Sequence, residues 1–577
     1  MGYDNLFPDH IGEEGRFDQF DNGKVLAGKQ KNKLPAMGWN SWNAFGSGNT
    51  EALTKVMADK IVELGLDKLG YEYVILDDGC YKPERVDGRL SNEEVKFPSG
   101  FKALSDYVHD KGLKFGMYND IGTNLCAGAQ VGNCGYEDVD AKSYLEWGVD
   151  FLKVDNCYYP FDNATFSNAE NARFTFAPNI KAIKVDGFEY KVTSDGKITG
   201  DLARLEDDHV TFLGTYDGTG PDASPVGPRS SELIFDIFSD SEKIVSLNVL
   251  YATGKKEGIG QWLQVAVEDS FFYDDLLKET ETEGSYEWSQ EIKISLSRGN
   301  NKLRLMNHRR QENTLNSYAR LLKELKKLDP DKDIYYSACE WGKTQPHNWG
   351  YKVCDSWRIL NDITFRVGSD GDPGHGAWIE DYTTSVTTQY NKAVIMDEFS
   401  GLDKGWNDPD MLMIGMDGLT ETQNKTHMAM WCMMNSPLML GVDLRRVSKG
   451  DEIYNIIANE DLIAINQDKL GVQAKRVYSS LAKDDPSREY IRDIDRVDIL
   501  KKNLSDGRLA ISFINLSLKD NNEEYAVTLH DFNPKGFQKY MVKDVYTKEE
   551  VLNDKDVLMV KGLKACDNRT FILTPVD

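Results

Sequence analysis

The chain has 577 residues, with 94 acidic against 68 basic side chains and a formal net charge of −26 at pH 7. That length is too great for one ordinary core and predicts several domains, and the charge excludes nucleic acid and anionic membranes as partners, because their phosphates would be repelled. A composition 40% hydrophobic and 11% aromatic excludes a disordered chain. Residues 1–33 read as an N-terminal extension. Its start, MGYDNLFPDHIGEEG, has neither the basic head nor the apolar centre of a signal peptide, so a cytoplasmic protein is expected, or an extracellular one whose leader has been removed. From 34 to 162, YEYVILDD, LKFGMYND and VDFLKVDN read as buried parallel strands ending in polar residues. Between them, Phe101, Leu104, Tyr107 and Val108 mark a helix face that stops at Gly112.

Between 163 and 312 the rhythm changes to period-two alternation. SSELIFDIFS, KIVSLNVLYATG and QWLQVAVED predict antiparallel strands of an inserted β-sandwich, with Val245, Leu247 and Val249 on one face. The strand-and-helix beat returns over 313–474. There Tyr318, Leu321, Leu322, Leu325 and Leu328 form a helix stripe, IYYSAC, WRILND and PLMLGVDL read as strands, and Thr420 with Gln423 predicts a capping box. The two stretches supply the eight units of a TIM (β/α)8 barrel, with the insert on its C-terminal face, where catalytic loops gather. Residues 475–577, with RLAISFINLS and EYAVTLHDF, read as a C-terminal antiparallel β-sandwich. The longest apolar run, HMAMWCMMNSPLMLGV, is broken by Asn435, Ser436 and Pro437 and is too short to span a bilayer.

Two aspartates stand where barrel strands should end: Asp155 in FLKVDNC and Asp362 in WRILNDI. A carboxylate pair across an anomeric carbon is the minimal equipment for cleaving a glycosidic bond. One must be ionised and the other protonated, so their surroundings should separate them, with Asp362 the less solvated. Lys153, two residues before Asp155, shares its face of the strand and would help hold it as an anion. A strand-end aspartate can also merely cap the next helix. Asp77 and Asp78 close the second strand, and paired carboxylates suit vicinal sugar hydroxyls.

Eight cysteines without a CxxC pair make neither a disulfide scaffold nor a structural zinc site, and one bridge at most is expected. No histidine clustering suggests a metal, so neither a metal nor an organic cofactor is expected. Oligomeric state is left open, a homo-oligomer included.

The ordered motifs MGWNSWNAFG, VILDDG, KFGMYNDIG, DAKSYLEWGVDFLKVDNC, SACEWG, GWNDPDML, SPLMLGVDLR and IAINQDKLG resemble glycoside hydrolase family 27, the α-galactosidases and α-N-acetylgalactosaminidases. The resemblance covers the barrel and the C-terminal domain. It implies Asp155 as nucleophile, Asp362 as acid/base, Asp77 and Asp78 on the C4 and C6 hydroxyls of galactose, and Glu340 and Arg358 facing the C2 substituent. Trp42, Tyr118 and Trp357 are expected as pocket walls, since sugars stack on aromatic rings, though each could equally be core; the resemblance further implies Asp410 and Met411 as pocket lining, Asp408 as structural, and Cys126–Cys157 as a pair bridged in a suitable compartment. A galactoside oligosaccharide or glycan is the implied partner. Where a second early bridge might stand, this chain has Ser47 and Gly79, and Cys80 replaces an aromatic residue. The bulk of Glu340 argues against an N-acetylgalactosaminide, and the short Asp78 against a β-L-arabinopyranoside. A non-catalytic galactose-binding lectin is the rival of another class. The insert resembles galactose-binding-like modules only through its strand rhythm and FLGTYDGTG, with Trp262, Tyr286 and Trp288 as a candidate sugar face that could equally be core or an oligomer contact.

Overall fold

The computed structural model describes residues 32–576 apart from 123, 158–177, 200–202, 213–231, 254–260, 269, 279, 283, 307–309, 344, 365, 381–382, 533–535 and 537. Most of the expected N-terminal extension therefore lies outside the described residues. Eight parallel strands form one sheet: β1 (Met37–Asn40), β2 (Tyr73–Ile75), β3 (Lys114–Asp120), β4 (Phe151–Asp155), β5 (Tyr335–Cys339), β6 (Ser356–Arg358), β7 (Trp406–Asp408) and β8 (Leu438–Leu440). They neighbour one another in chain order from β1 to β7, and β8 lies beside β1. Leu412, just past β7, closes the ring by bridging to Leu440. This is the TIM barrel.

Side-chain parity builds its layers. Tyr73, Ile75, Phe151, Tyr335 and Met439 point inward and pack as one apolar cluster, with the Phe151 and Tyr335 rings stacked at 5.0 Å. Gly38 shares this interior because a Cβ there would come within 2.4 Å of the Tyr73 carbonyl oxygen. The alternate residues, Val74, Phe115, Met117, Leu152, Val154, Tyr336 and Ala338, face the surrounding helices. One of those helices, Gly100–Asp110, buries Phe101, Leu104 and Val108. Another, Glu421–Met433, starts at the full Thr420/Gln423 capping box. The stripe of Arg310–Leu328 buries Tyr318, Leu321, Leu322 and Leu325 but leaves Leu328 48% exposed, because the helix ends there beyond the cover of its neighbours.

Between β4 and β5, two antiparallel sheets enclose a core that includes Val245, Leu247, Val249, Phe235 and Leu303. After β8, a six-stranded and a two-stranded antiparallel sheet enclose Val497, Ile511, Phe513 and Leu573. A buried polar knot joins this last unit to the barrel helix Val386–Ala393. Asp498 accepts from Tyr390 Oη at 3.0 Å and from Arg496 Nε at 3.1 Å, and Arg496 Nη2 donates to Asn391 at 2.6 Å. Asp498 and both nearby guanidiniums, Arg476 and Arg496, are almost wholly buried. Asp498→Ala would strand two buried cations, so a loss of roughly 3–5 kcal/mol of stability is expected in denaturant unfolding.

Candidate active site

The barrel's C-terminal mouth collects its acids by the same parity. Along β4, Phe151, Lys153 and Asp155 point inward, and register places Asp155 opposite both Asp120 of β3 and Cys339 of β5. Asp155 is 4% exposed. Its carboxylate accepts from Tyr118 Oη at 3.0 Å and from the Asn156 backbone N–H at 2.8 Å. Burial pushes its pKa up to about 6, with Lys153 opposing and Asp362 adding to the rise. Tyr118, expected as a wall, thus also donates to this carboxylate.

Lys153 Nζ lies 2.7 Å from Asp77 Oδ2 and so pairs first with that residue. Asn40, which sequence reasoning missed, donates to the same oxygen at 2.8 Å. Its inward place at the end of β1 was the available signal. Asp78 accepts the N–H groups of Ala127 at 2.7 Å and Gly79 at 2.6 Å. Burial raises it to about 7, the Ala127 N–H opposing and Asp77 adding to the effect. Ser47 and Gly79 stand side by side, a Cβ built on Gly79 falling 2.7 Å from Ser47 Cβ.

Arg358, fully buried on β6, lies 2.8 Å from Asp362 Oδ1 and 2.8 Å from Asp410 Oδ2. Asp410, at φ +75°, also accepts the Ile363 N–H at 2.7 Å, which ties the loop after β7 to the loop carrying Asp362. Burial raises Asp362 while Arg358 opposes. The side chain of Asp362 is 19% exposed. The expectation that it is less solvated than Asp155 is therefore corrected: it sits on a loop beyond its strand, whereas Asp155 is held within the sheet. Asp408 accepts the Asp410 N–H at 2.8 Å.

Glu340 is wholly buried, and its Oε1 accepts from Asn156 Nδ2 at 3.3 Å. Cys126 and Cys157 are bridged, with Cα atoms 5.3 Å apart. Trp42 is half-buried against the cluster containing Met411 and Met439. Trp357 is corrected as a wall. It alternates with Arg358 and so faces outward, 0% exposed, its indole N–H bonded to Asn407 at 3.0 Å. Asp120, a second residue missed, is fully buried and accepts the N–H groups of Gly122 at 2.6 Å and Cys157 at 2.8 Å. Its strand-end position in YND, matching LDD and VDN, could have revealed it. Ligand atoms of Asp120, Asp155, Cys126 and Cys157 lie within 4.8 Å of one another, but the sulfurs are joined and offer a metal no thiolate.

In the insert, Trp288 is 37% exposed with Lys184 Nζ 4.2 Å from its ring, and Tyr286 has Lys181 Nζ at 4.1 Å. The side chain of Trp262 and most of FLGTYDGTG lie outside the described residues. Among the described residues no helix is long and apolar enough to cross a membrane.

A (β/α)8 barrel with paired carboxylates, a lysine and an arginine gathered at its C-terminal mouth has the architecture of a barrel enzyme, whose active site lies at that face. The family profile described as Alpha galactosidase A matches residues 34–177 and 288–468, and the chain belongs to that family of glycoside hydrolases. The second match begins inside the insert's sheets, since strands Ile292–Leu296 and Gly299–Met306 pair with insert strands. An α-galactosidase of Oryza sativa is 26% identical over 449 residues, 78% of this chain and 66% of that one. α-Galactosidase A of Cellvibrio japonicus is 27% identical over 533 residues, 91% of this chain and 84% of its own. The solved α-galactosidase of Saccharomyces cerevisiae shares the fold at TM-score 0.58 and 21% identity, covering 96% of this chain and 99% of its own.

Proposed function

We propose that the protein is a retaining, exo-acting α-galactosidase, with the barrel segments 34–162 and 313–474 catalytic. Asp155 attacks the anomeric carbon of a terminal α-galactosyl unit while Asp362 transfers its proton to the departing oxygen, leaving a β-galactosyl ester on Asp155. Asp362, now a carboxylate, takes a proton from water, which attacks the same carbon and frees galactose and Asp155. The observation that carries this reading is the placement of the two acids in different surroundings within electrostatic reach. Asp155 is anchored by Tyr118 and a backbone N–H, while Asp362 stands at the mouth on Arg358. Asp77, Asp78 and Lys153 would bind the C4 and C6 hydroxyls, Glu340 and Arg358 would limit the C2 side, and Trp42, Asp410 and Met411 would line the pocket. The Cys126–Cys157 bridge would fix the rim beside Asp155.

Release of nitrophenol from 4-nitrophenyl α-galactoside tests the activity, and the α-N-acetylgalactosaminide and β-L-arabinopyranoside analogues rank its specificity. Raffinose, bound in a solved yeast α-galactosidase, is the first oligosaccharide to try. Proton NMR should show α-galactose as the first product. First-formed β-galactose would require inversion and would sink the double displacement, as would carboxyl groups near 9 Å apart instead of about 5–5.5 Å. Galactose binding without any hydrolysis would favour the lectin.

A further inference from the structure

The mouth gathers more buried acids than its two inner cations can serve. Lys153 is held on Asp77 and Arg358 on Asp362 and Asp410. Asp155 and Asp120 stand in register on adjacent strands, both buried, and each raises the other's cost of ionisation. Unpaired neighbouring carboxylates in such a place are costly. A third cation stands on the loop after β5. Lys343 Nζ donates to the Asn156 carbonyl at 2.6 Å, and it lies 4.6 Å from the centre of the Trp341 ring. Asn156 is the residue whose N–H holds Asp155 and whose side chain meets Glu340. The loop is fixed in shape by Trp341 at φ +60° and Gly342 at φ +74°. The Lys343 charge favours the ionised form of both Asp155 and Asp120.

We infer that Lys343 is a positioning cation of the nucleophile: it clamps the peptide following Asp155 and adds positive charge beside two adjacent buried carboxylates. This rests on Asp155 being the nucleophile. The groups acting on Asp155 are Lys153 on its own strand, Tyr118 and Asp120 on β3, Asp78 after β2, Cys339 on β5, Lys343 beyond it, Asp362 after β6, and Tyr318 on the helix Arg310–Leu328. Removing one cation from this set makes Asp155 harder to ionise, so the acid limb of kcat/KM must move to higher pH.

The test compares pH profiles of kcat/KM on 4-nitrophenyl α-galactoside for wild type, Lys343→Met, Lys343→Gln and Lys343→Arg, with Asp155→Asn alongside. In both neutral variants the acid limb should rise by about one unit, a loss of about tenfold at pH values below the limb. The fall should appear in kcat more than in KM, and arginine should restore the wild-type limb. Glutamine keeps a donor for the Asn156 carbonyl without the charge, and it carries the test alone if the methionine variant fails to fold. An acid limb unmoved in the folded neutral variants overturns the inference, even where kcat falls, because a purely structural clamp would do that. Full activity in Asp155→Asn would instead overturn the assignment of the nucleophile.

Discussion

Asp155→Asn should lower kcat on 4-nitrophenyl α-galactoside by roughly 10⁴-fold, about 5.5 kcal/mol of barrier, because the amide cannot form the galactosyl ester. The fold should survive, since the asparagine oxygen can still accept one of the two hydrogen bonds, from Tyr118 or from the Asn156 N–H, that now reach separate oxygens of the carboxylate. A sharper version uses Asp155→Gly with azide. The cavity admits the anion on the face the carboxylate occupied, so azide should displace nitrophenolate directly and give β-galactosyl azide. Recovery of the α-azide, or retention of most activity without azide, would remove Asp155 from the nucleophile's role.

Asp362→Asn should show a loss that depends on the leaving group. An oligosaccharide needs its departing oxygen protonated, and general acid catalysis is worth roughly 10²–10⁴-fold. Nitrophenolate leaves without that help, so its first step should suffer far less and the ester on Asp155 should accumulate as a burst. With Asp362→Gly, azide should intercept that ester from the opposite face and yield α-galactosyl azide, the mirror of the Asp155 result. The pH profile supplies a second check. On the proposed mechanism Asp362 is protonated for the first step, and burial raises it, so the wild-type alkaline limb should disappear in Asp362→Asn. The acid limb, set by Asp155 being raised to about 6 by burial, should remain, with activity falling as pH drops through it. An alkaline limb that persists would exclude Asp362 as the acid.

Much of this site was legible because a buried parallel strand has a strict alternation. Lys153 and Asp155 share a face on parity alone, and Arg358 at the end of a short strand is inward for the same reason. The same rule, applied to Trp357, would have sent it outward, since it adjoins Arg358; its aromatic character obscured that. The exposure of Asp362 had no local signal. Its loop is held by the Thr383 and Thr384 hydroxyls, which donate to its carbonyl oxygen at 2.8 and 2.7 Å from a separate segment. Asp120 was readable and overlooked, whereas Lys343 could not be placed without the positive-φ turn at Trp341 and Gly342 that aims the loop back at β4. The family profile gives no role to the insert, and its lysine-flanked aromatic residues do not by themselves assign one.

The insert also bears on how the barrel is made. β4 and β5 are hydrogen-bonded neighbours, Asp155 opposite Cys339, yet the whole sandwich is synthesised between them. While the ribosome makes the insert, β4 is an open edge with unpaired backbone groups, a template for mispairing between nascent chains. Prompt folding of the sandwich would compact the chain between β4 and β5 and so shorten the loop that β5 must close. The insert would then act as a built-in splint for assembly, and deleting it or slowing its collapse would show first as aggregation during synthesis, before any change in the finished enzyme.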